Sequence, residues 1–257
     1  MSNAAVAAIS VALYILLAPG VGGLLQGVDR KATARMQGRQ GPPLLQSFYD
    51  VGKLLGKETK YMNHIQIVCH VSFLIFVIFT GALFFGGGDL LLIFFALTTA
   101  NLCLILAATT CNSPYAAMGA NREMLQTMAY EPMVLLTAVG LYLATGSFKV
   151  SDIVRSSGLP PIVYLPGVFC GFLFILTIKL RKHPFDLSTS HHAHQEMVKG
   201  LTTEFNGVTL LIVEVSHWYE NVFLMGIIAL FFINGKPWSY ALAAVAVVLS
   251  YFLEILI

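Results

Sequence analysis

Charge is the scarcest property of this 257-residue chain: only 11% of its residues are Asp, Glu, Lys or Arg, against roughly 25% in a typical soluble domain. With 57% hydrophobic residues and a mean hydropathy of +0.76, that deficit excludes an ordinary soluble globular protein. Cysteine is also sparse. Cys69, Cys103, Cys111 and Cys170 lie in or beside apolar segments with no CxxC and no Cys/His cluster, which argues against iron–sulfur, zinc or c-haem sites in this chain. No basic stretch precedes the first apolar run, Ala4 to Leu25, so it reads as a span and not as a cleaved leader. No repeat period, low-complexity tract or linker is visible, and residues 1–257 are read as one integral membrane domain. The net charge of +2 leaves no footprint for nucleic acid.

Uncharged runs of spanning length recur from end to end: Ala4 to Leu25, Ile65 to Phe85, Leu90 to Cys111, Met124 to Thr145, Ile162 to Ile178, Gly207 to Ile233 and Tyr240 to Ile257. The class is therefore all-α, a polytopic transmembrane helical bundle of seven or eight spans. With seven spans the loops alternate between two sides, and the cations sort themselves. One side holds Arg30, Lys31, Arg35, Arg39, Lys53, Lys57, Lys60, Arg122, Lys179, Arg181, Lys182 and Lys199; the other holds Lys149, Arg155 and Lys236. A 12-to-3 split predicts the N-terminus outside and the long basic loops in the cytoplasm. Acids inside spans break the apolar pattern at Glu131, Glu214, Glu220 and Glu254.

Three inside segments carry information. In the first, Asp29 to Glu58, the residues Leu44, Leu45, Phe48, Val51, Leu54 and Leu55 recur at three- and four-residue spacing after Gly41-Pro42-Pro43. This describes an amphipathic helix along the membrane surface, held by anionic headgroups or turning Arg30, Arg35 and Arg39 toward an acidic partner or cavity. In the second, Glu123 and Glu131 are eight residues apart, a rise of about 12 Å with only about 80° of rotation on a helix. A carboxylate at that depth marks an ion pathway, or else a neutral Glu131 bonded to a neighbouring helix. The third, Lys179 to Asn221, packs His183, His191, His192, His194 and His217 among Asp186, Glu196, Glu204, Glu214 and Glu220. The histidine spacing lacks the i, i+4 pairing of a helical metal site, which favours solvated loop residues or proton carriers over a metal site. Glu214, His217 and Asn221 fall at i, i+3, i+7, one face of a helix, so that face is expected to line protein or water instead of lipid.

These residues resemble a known family. Asp29-Arg30-Lys31, Arg35-Met36-Gln37, Arg39, Gly41-Pro42, Leu44-Leu45-Gln46, Asp50, Lys53 to Leu55 and Lys57-Glu58 are similar, in register, to the first inside loop of the complex I subunit NuoH/ND1. Asp29 stands where that family usually has glutamate. Asn112-Ser113 to Tyr115, Gly119-Ala120, Arg122 and Tyr130-Glu131 resemble its second segment; Pro184-Phe185-Asp186-Leu187, Glu196, Gly200 and Glu204 resemble its third. The stretch Ser188 to Glu196 departs from the proline- and glutamate-rich run of respiratory complex I, and the chain is shorter. Both departures are more similar to the homologous membrane subunit of group 4, Ech-type energy-converting nickel–iron hydrogenases, with formate hydrogenlyase as a cousin.

That resemblance implies a non-catalytic membrane anchor. Its expected partners are a nickel–iron large subunit, an iron–sulfur small subunit, antiporter-like membrane subunits, ferredoxin and membrane lipid; the metal centres sit in the partners and no cofactor in this chain. Ferredoxin oxidation with H2 evolution would drive H+ or Na+ through Glu123, Glu131, Glu204, Glu214, His217 and Glu220. Arg30, Arg35, Arg39, Asp50, Asp186, His191, His192, His194 and Glu196 would shape the docking junction. Two other expectations remain: the NuoH component of a respiratory NADH:quinone oxidoreductase, lining a quinone site, and a secondary ion transporter acting alone.

Overall fold

The computed structural model describes residues 3–58, 63–182 and 199–256. Nine α-helices are described over these residues, with no β-strand among them: α1 (Asn3–Met36), α2 (Gln46–Leu55), α3 (His64–Phe85), α4 (Leu90–Thr109), α5 (Pro114–Thr145), α6 (Val150–Arg155), α7 (Pro166–Lys179), α8 (Gly207–Phe232) and α9 (Pro237–Leu256). A 3-10 turn, Pro161–Val163, precedes α7, and residues 199–203 are also helical. Six of the helices, α1, α3, α4, α5, α8 and α9, are long and apolar enough to cross a membrane. The fold is an all-α polytopic membrane bundle.

The helix ends follow local chemistry more than hydropathy. α1 does not stop at Leu25 but continues to Met36, so its 34 residues reach about 50 Å at 1.5 Å per residue. The residues expected in a loop, Asp29, Arg30 and Arg35, therefore project from the last turns of a rigid rod. α5 likewise begins ten residues before the expected Met124, with Pro114 in its first turn, where a missing N–H costs nothing. Glu123 and Glu131 thus share one continuous helix. α7 is the reverse case. Its 14 residues reach only about 21 Å, short of the ~30 Å hydrocarbon core, because Pro166 fixes its start. The preceding non-helical chain tucks Pro160 and Pro161 into the protein, the one place where irregular backbone is tolerated at membrane depth.

α8 is the central helix, packed on α1, α2, α3 and α9. Tyrosine hydroxyls tie it down: Tyr219 donates to the Ile15 carbonyl at 2.8 Å and Tyr14 to the Tyr219 carbonyl at 3.2 Å. Tyr251 of α9 donates to the Leu25 carbonyl at 2.9 Å. Gly22 lets α1 cross α8 closely, since a Cβ there would lie 2.5 Å from the Trp218 carbonyl oxygen. α7 packs on α5. α2 rests its Phe48 ring on Trp218, centroids 5.2 Å apart, while Leu44, Leu45, Tyr49 and Leu55 stay exposed. The amphipathic pattern is thus divided between the protein and an open apolar face.

Candidate functional site

At the end of the bundle that holds the C-terminal turns of α1 and α7, three cavities share walls. A cavity of about 190 Å³ is bounded by α1 (Gln26, Asp29), by the end of α7 and the residues after it (Lys179, Arg181, Lys182), by α8 (Glu214, His217, Asn221) and by Tyr251 of α9. Asp29, Arg181 and Lys182 also line a wider cavity of about 870 Å³ under the last turns of α1. Gln26 and Glu214 form part of a third, of about 280 Å³, beneath α2. The i, i+3, i+7 spacing of Glu214, His217 and Asn221 places all three on the central cavity. Arg181 lines both the central and the 870 Å³ cavity from a left-handed turn, φ 52°, that follows α7.

The centre of this arrangement is a buried ion pair. Lys179 Nζ donates to Glu220 Oε1 at 2.8 Å, with side-chain exposures of 8% and 4%. His217 Nδ1 lies 3.2 Å from Glu220 Oε2. The ammonium also sits 5.1 Å above the Tyr130 ring, a cation–π contact, and Asn101 donates to the Tyr130 hydroxyl at 3.2 Å. His217 Nε2 is buried with no hydrogen-bond partner among the described residues. The edge of its ring meets Phe73 at 5.9 Å, which fixes the imidazole plane.

Each remaining carboxylate near these cavities, among the described residues, has a donor. Lys182 pairs with Asp29. Gln26 Nε2 donates to Glu214 Oε2 at 3.3 Å, and the same amide's oxygen accepts from Trp218 Nε1 at 2.7 Å. Between α1 and α2, Arg30 donates to Asp50 at 2.8 Å, and Gln46 within α2 adds a second bond at 2.8 Å. Burial alone would raise the Asp50 carboxyl; the Gln46 and Arg30 hydrogen bonds, with the positive charges of Arg30 and Lys53, outweigh it and hold it below the usual carboxylate range.

The other expected site residues lie apart from this centre. Glu123 and Glu131 are half-buried on α5; Glu123 neighbours Arg122, and Glu131 makes no hydrogen bond or ion pair among the described residues. Glu204 is half-buried just after the 199–203 turn, within electrostatic reach of Cys111. The adjoining Phe205 packs edge-on against buried His70 at 4.3 Å. Arg35 and Arg39 are exposed, and Arg39 bonds Gln37. Asp186, His191, His192, His194 and Glu196 lie outside the described residues. Among the described residues no group of three or more His, Cys, Asp or Glu is arranged to hold a metal.

Sequence reasoning missed Lys179, Lys182 and Gln26 as members of the centre. Lys179 ends an apolar run, where a lysine normally snorkels to the interface; its partner is 41 residues away. Glu254 is buried at 1% exposure, accepts from Thr177 at 3.3 Å and keeps Oε2 without a partner among the described residues. Its only sequence signal was an acid in an apolar run.

Residues 8–257 match the family model described as NADH dehydrogenase. The chain is 28% identical over 250 residues to hydrogenase-4 component C of Escherichia coli (strain K12), covering 90% of this chain and 76% of that one. It is 29% identical over 203 residues to formate hydrogenlyase subunit 4 of the same organism, covering 72% of this chain and only 64% of the relative. It is also 29% identical over 259 residues to the NuoH-type component of NADH-quinone oxidoreductase of Geobacter metallireducens, covering 89% and 78%. A chain in the structure of the membrane-bound sulfane sulfur reductase, an archaeal respiratory membrane complex, matches with a TM-score of 0.80 over 97% of this chain and 88% of that one. At 23% identity that is a likeness of fold.

Proposed function

Because this chain belongs to the NADH dehydrogenase family of NuoH/ND1-type membrane subunits, we propose that it is the membrane-anchor and ion-coupling subunit of a multisubunit energy-converting nickel–iron hydrogenase. Membership supports a multi-pass membrane subunit of a complex I-like energy-converting assembly. The hydrogenase assignment draws on the similarity to hydrogenase-4 component C and formate hydrogenlyase subunit 4. In that assembly ferredoxin is oxidised and H2 evolved at metal centres in soluble partner subunits, while this chain passes charge toward antiporter-like neighbours. The cytoplasmic side carries the basic end of the bundle, and the N-terminus faces outside the cell membrane.

One observation carries the coupling role: the buried Lys179–Glu220–His217 cluster, set on a cavity of about 190 Å³ that adjoins two wider ones. Charges at membrane depth are costly, and they persist where they pair and serve an ion path. Closely spaced ionisable groups in a low dielectric shift one another's proton affinity, which is the property a relay needs. Glu123, Glu131 and Glu204 extend the relay along α5 and the 199–203 segment. Arg30, Arg35, Arg39 and Asp50, with the Asp186 to Glu196 segment, form the docking junction.

A complex purified through this chain from washed membranes should contain nickel together with hydrogenase large and small subunits, and should evolve H2 from reduced ferredoxin. Glu131→Gln and Glu204→Gln should each lower ion movement per H2 in proteoliposomes; unchanged stoichiometry in both would sink the relay. The 870 Å³ cavity, within the size range of small-molecule sites, and the similarity to the NuoH-type component of NADH-quinone oxidoreductase favour a second reading, a subunit lining a quinone site. A nickel-free complex inhibited by quinone analogues would establish that reading in place of the first.

A further inference from the structure

The ion-coupling reading leaves the ion open between H+ and Na+, and the proposal that follows rests on that reading. We propose that the cavity against α8 handles protons and excludes Na+, with His217 Nε2 as the atom that takes the proton and Lys179 as the positioning residue that ties Glu220 to the ring.

The tautomer comes first. Glu220 receives an ammonium at 2.8 Å on Oε1 and faces His217 Nδ1 at 3.2 Å with Oε2. A carboxylate so paired only accepts hydrogen bonds, so Nδ1 carries the ring hydrogen and Nε2 holds a bare lone pair. That lone pair is buried without a partner among the described residues, on a ring that lines the cavity. An unsatisfied buried acceptor is costly and is relieved by a water or by a proton. The cavity, about 190 Å³, has room for several waters at about 30 Å³ each.

The fixed charges around the ring argue against a metal cation. α8 contributes Glu214 and Glu220, α1 contributes Asp29, α7 and its end contribute Lys179, Arg181 and Lys182, and α9 contributes the uncharged Tyr251. Among the described residues three carboxylates face three permanent cations, so these side chains offer no net negative charge. Two of the carboxylates are held by ammonium groups and the third by the Gln26 amide. Hard cations are held by about six oxygen ligands. Drawing Glu220 off Lys179 to ligate Na+ would strand a buried ammonium. A proton needs one lone pair.

The transfer balances simply. Nε2 is closed off from the cavity water in this structure, so a hydronium enters beside the ring; it breaks an O–H bond as Nε2 forms an N–H bond, giving imidazolium and water. Glu220 then has two cationic donors, and Lys179 loosens toward the Tyr130 ring, 5.1 Å away. The proton leaves by the reverse step to water and onward to Glu214, which reaches the cavity beneath α2.

The test uses the purified complex in proteoliposomes energised with reduced ferredoxin, reading a pH dye and ²²Na+ in K+ and Na+ media. Equal acidification in both media without ²²Na+ accumulation is expected, with a loss of at least tenfold in His217→Gln. Lys179→Gln, which frees Glu220 from its tie, should slow proton movement at least tenfold, and Lys179→Arg should restore it. Sodium accumulation abolished by His217→Gln, or proton movement unchanged in that variant, overturns the proposal. A second arm needs no turnover: pH-difference infrared spectra of ¹⁵N-histidine-labelled complex should show a His217-dependent band for Nε2 protonation that Na+ does not alter. Its absence, or its displacement by Na+, also overturns the proposal. A nickel-free complex that still gives this band refutes only the hydrogenase assignment.

Discussion

Replacing Lys179 with methionine removes the ammonium and keeps most of the side-chain volume, so it isolates the charge. The Lys179 and Glu220 side chains are 8% and 4% exposed and meet at 2.8 Å, and removing one partner of a buried pair costs about 3–5 kcal/mol. Two local features adjust that range. Loss of the ammonium above Tyr130 adds about 0.5–1 kcal/mol. Against this, His217 at 3.2 Å can take up a proton and neutralise Glu220 in part. The expected cost of Lys179→Met is therefore about 3 kcal/mol, roughly a hundredfold in the folded-to-unfolded ratio. The companion variant Lys179→Met/Glu220→Gln removes the stranded charge but leaves an amide oxygen for His217 Nδ1, and it should recover most of that loss. The assay is the fraction of detergent-solubilised complex that stays monodisperse on size exclusion after a heat step. A single variant as stable as the parent, or a double variant no better than the single, would refute the claim that Glu220 is held as a buried carboxylate by Lys179.

Gly22→Ala should destabilise by about 1–3 kcal/mol, because its Cβ would lie 2.5 Å from the Trp218 backbone oxygen and nothing flexible can yield. Gly20→Ala, with open space around it, should be neutral or gain up to about 1 kcal/mol from helix propensity; a similar loss in both on thermal melting would mean that the α1–α8 crossing is not the cause. For α2, the depressed Asp50 carboxyl stabilises above the unfolded carboxylate value near 3.9, and the contribution disappears as pH falls through the lower folded value. Hydrogen-exchange protection of α2 should thus be flat from pH 7 to 5 and fall only in stronger acid, a fall that Asp50→Asn should flatten. Loss of protection already between pH 7 and 5 would contradict the Arg30–Asp50 anchor.

The sequence by itself determined the class. Hydrocarbon imposes that rule locally: a span takes about 20 apolar residues. It also determined that Glu214, His217 and Asn221 share a face, since a helical period needs no tertiary information. Where helices end was less legible. An apolar run marks where lipid is tolerable, while backbone hydrogen bonding continues past it through exposed residues such as Arg30 and Arg35, so α1 reaches Met36 and α5 starts at Pro114. The shortness of α7 was written in Pro166 but hidden by the apolar residues ahead of it. Only the tertiary structure decided which charges meet. Lys179 finds Glu220 across 41 residues and Lys182 finds Asp29 across 153, because the packing of α7 and α1 around α8 sets those distances. A cation's partner in a low dielectric is fixed by a few ångströms of three-dimensional separation, and no local pattern in the chain encodes that.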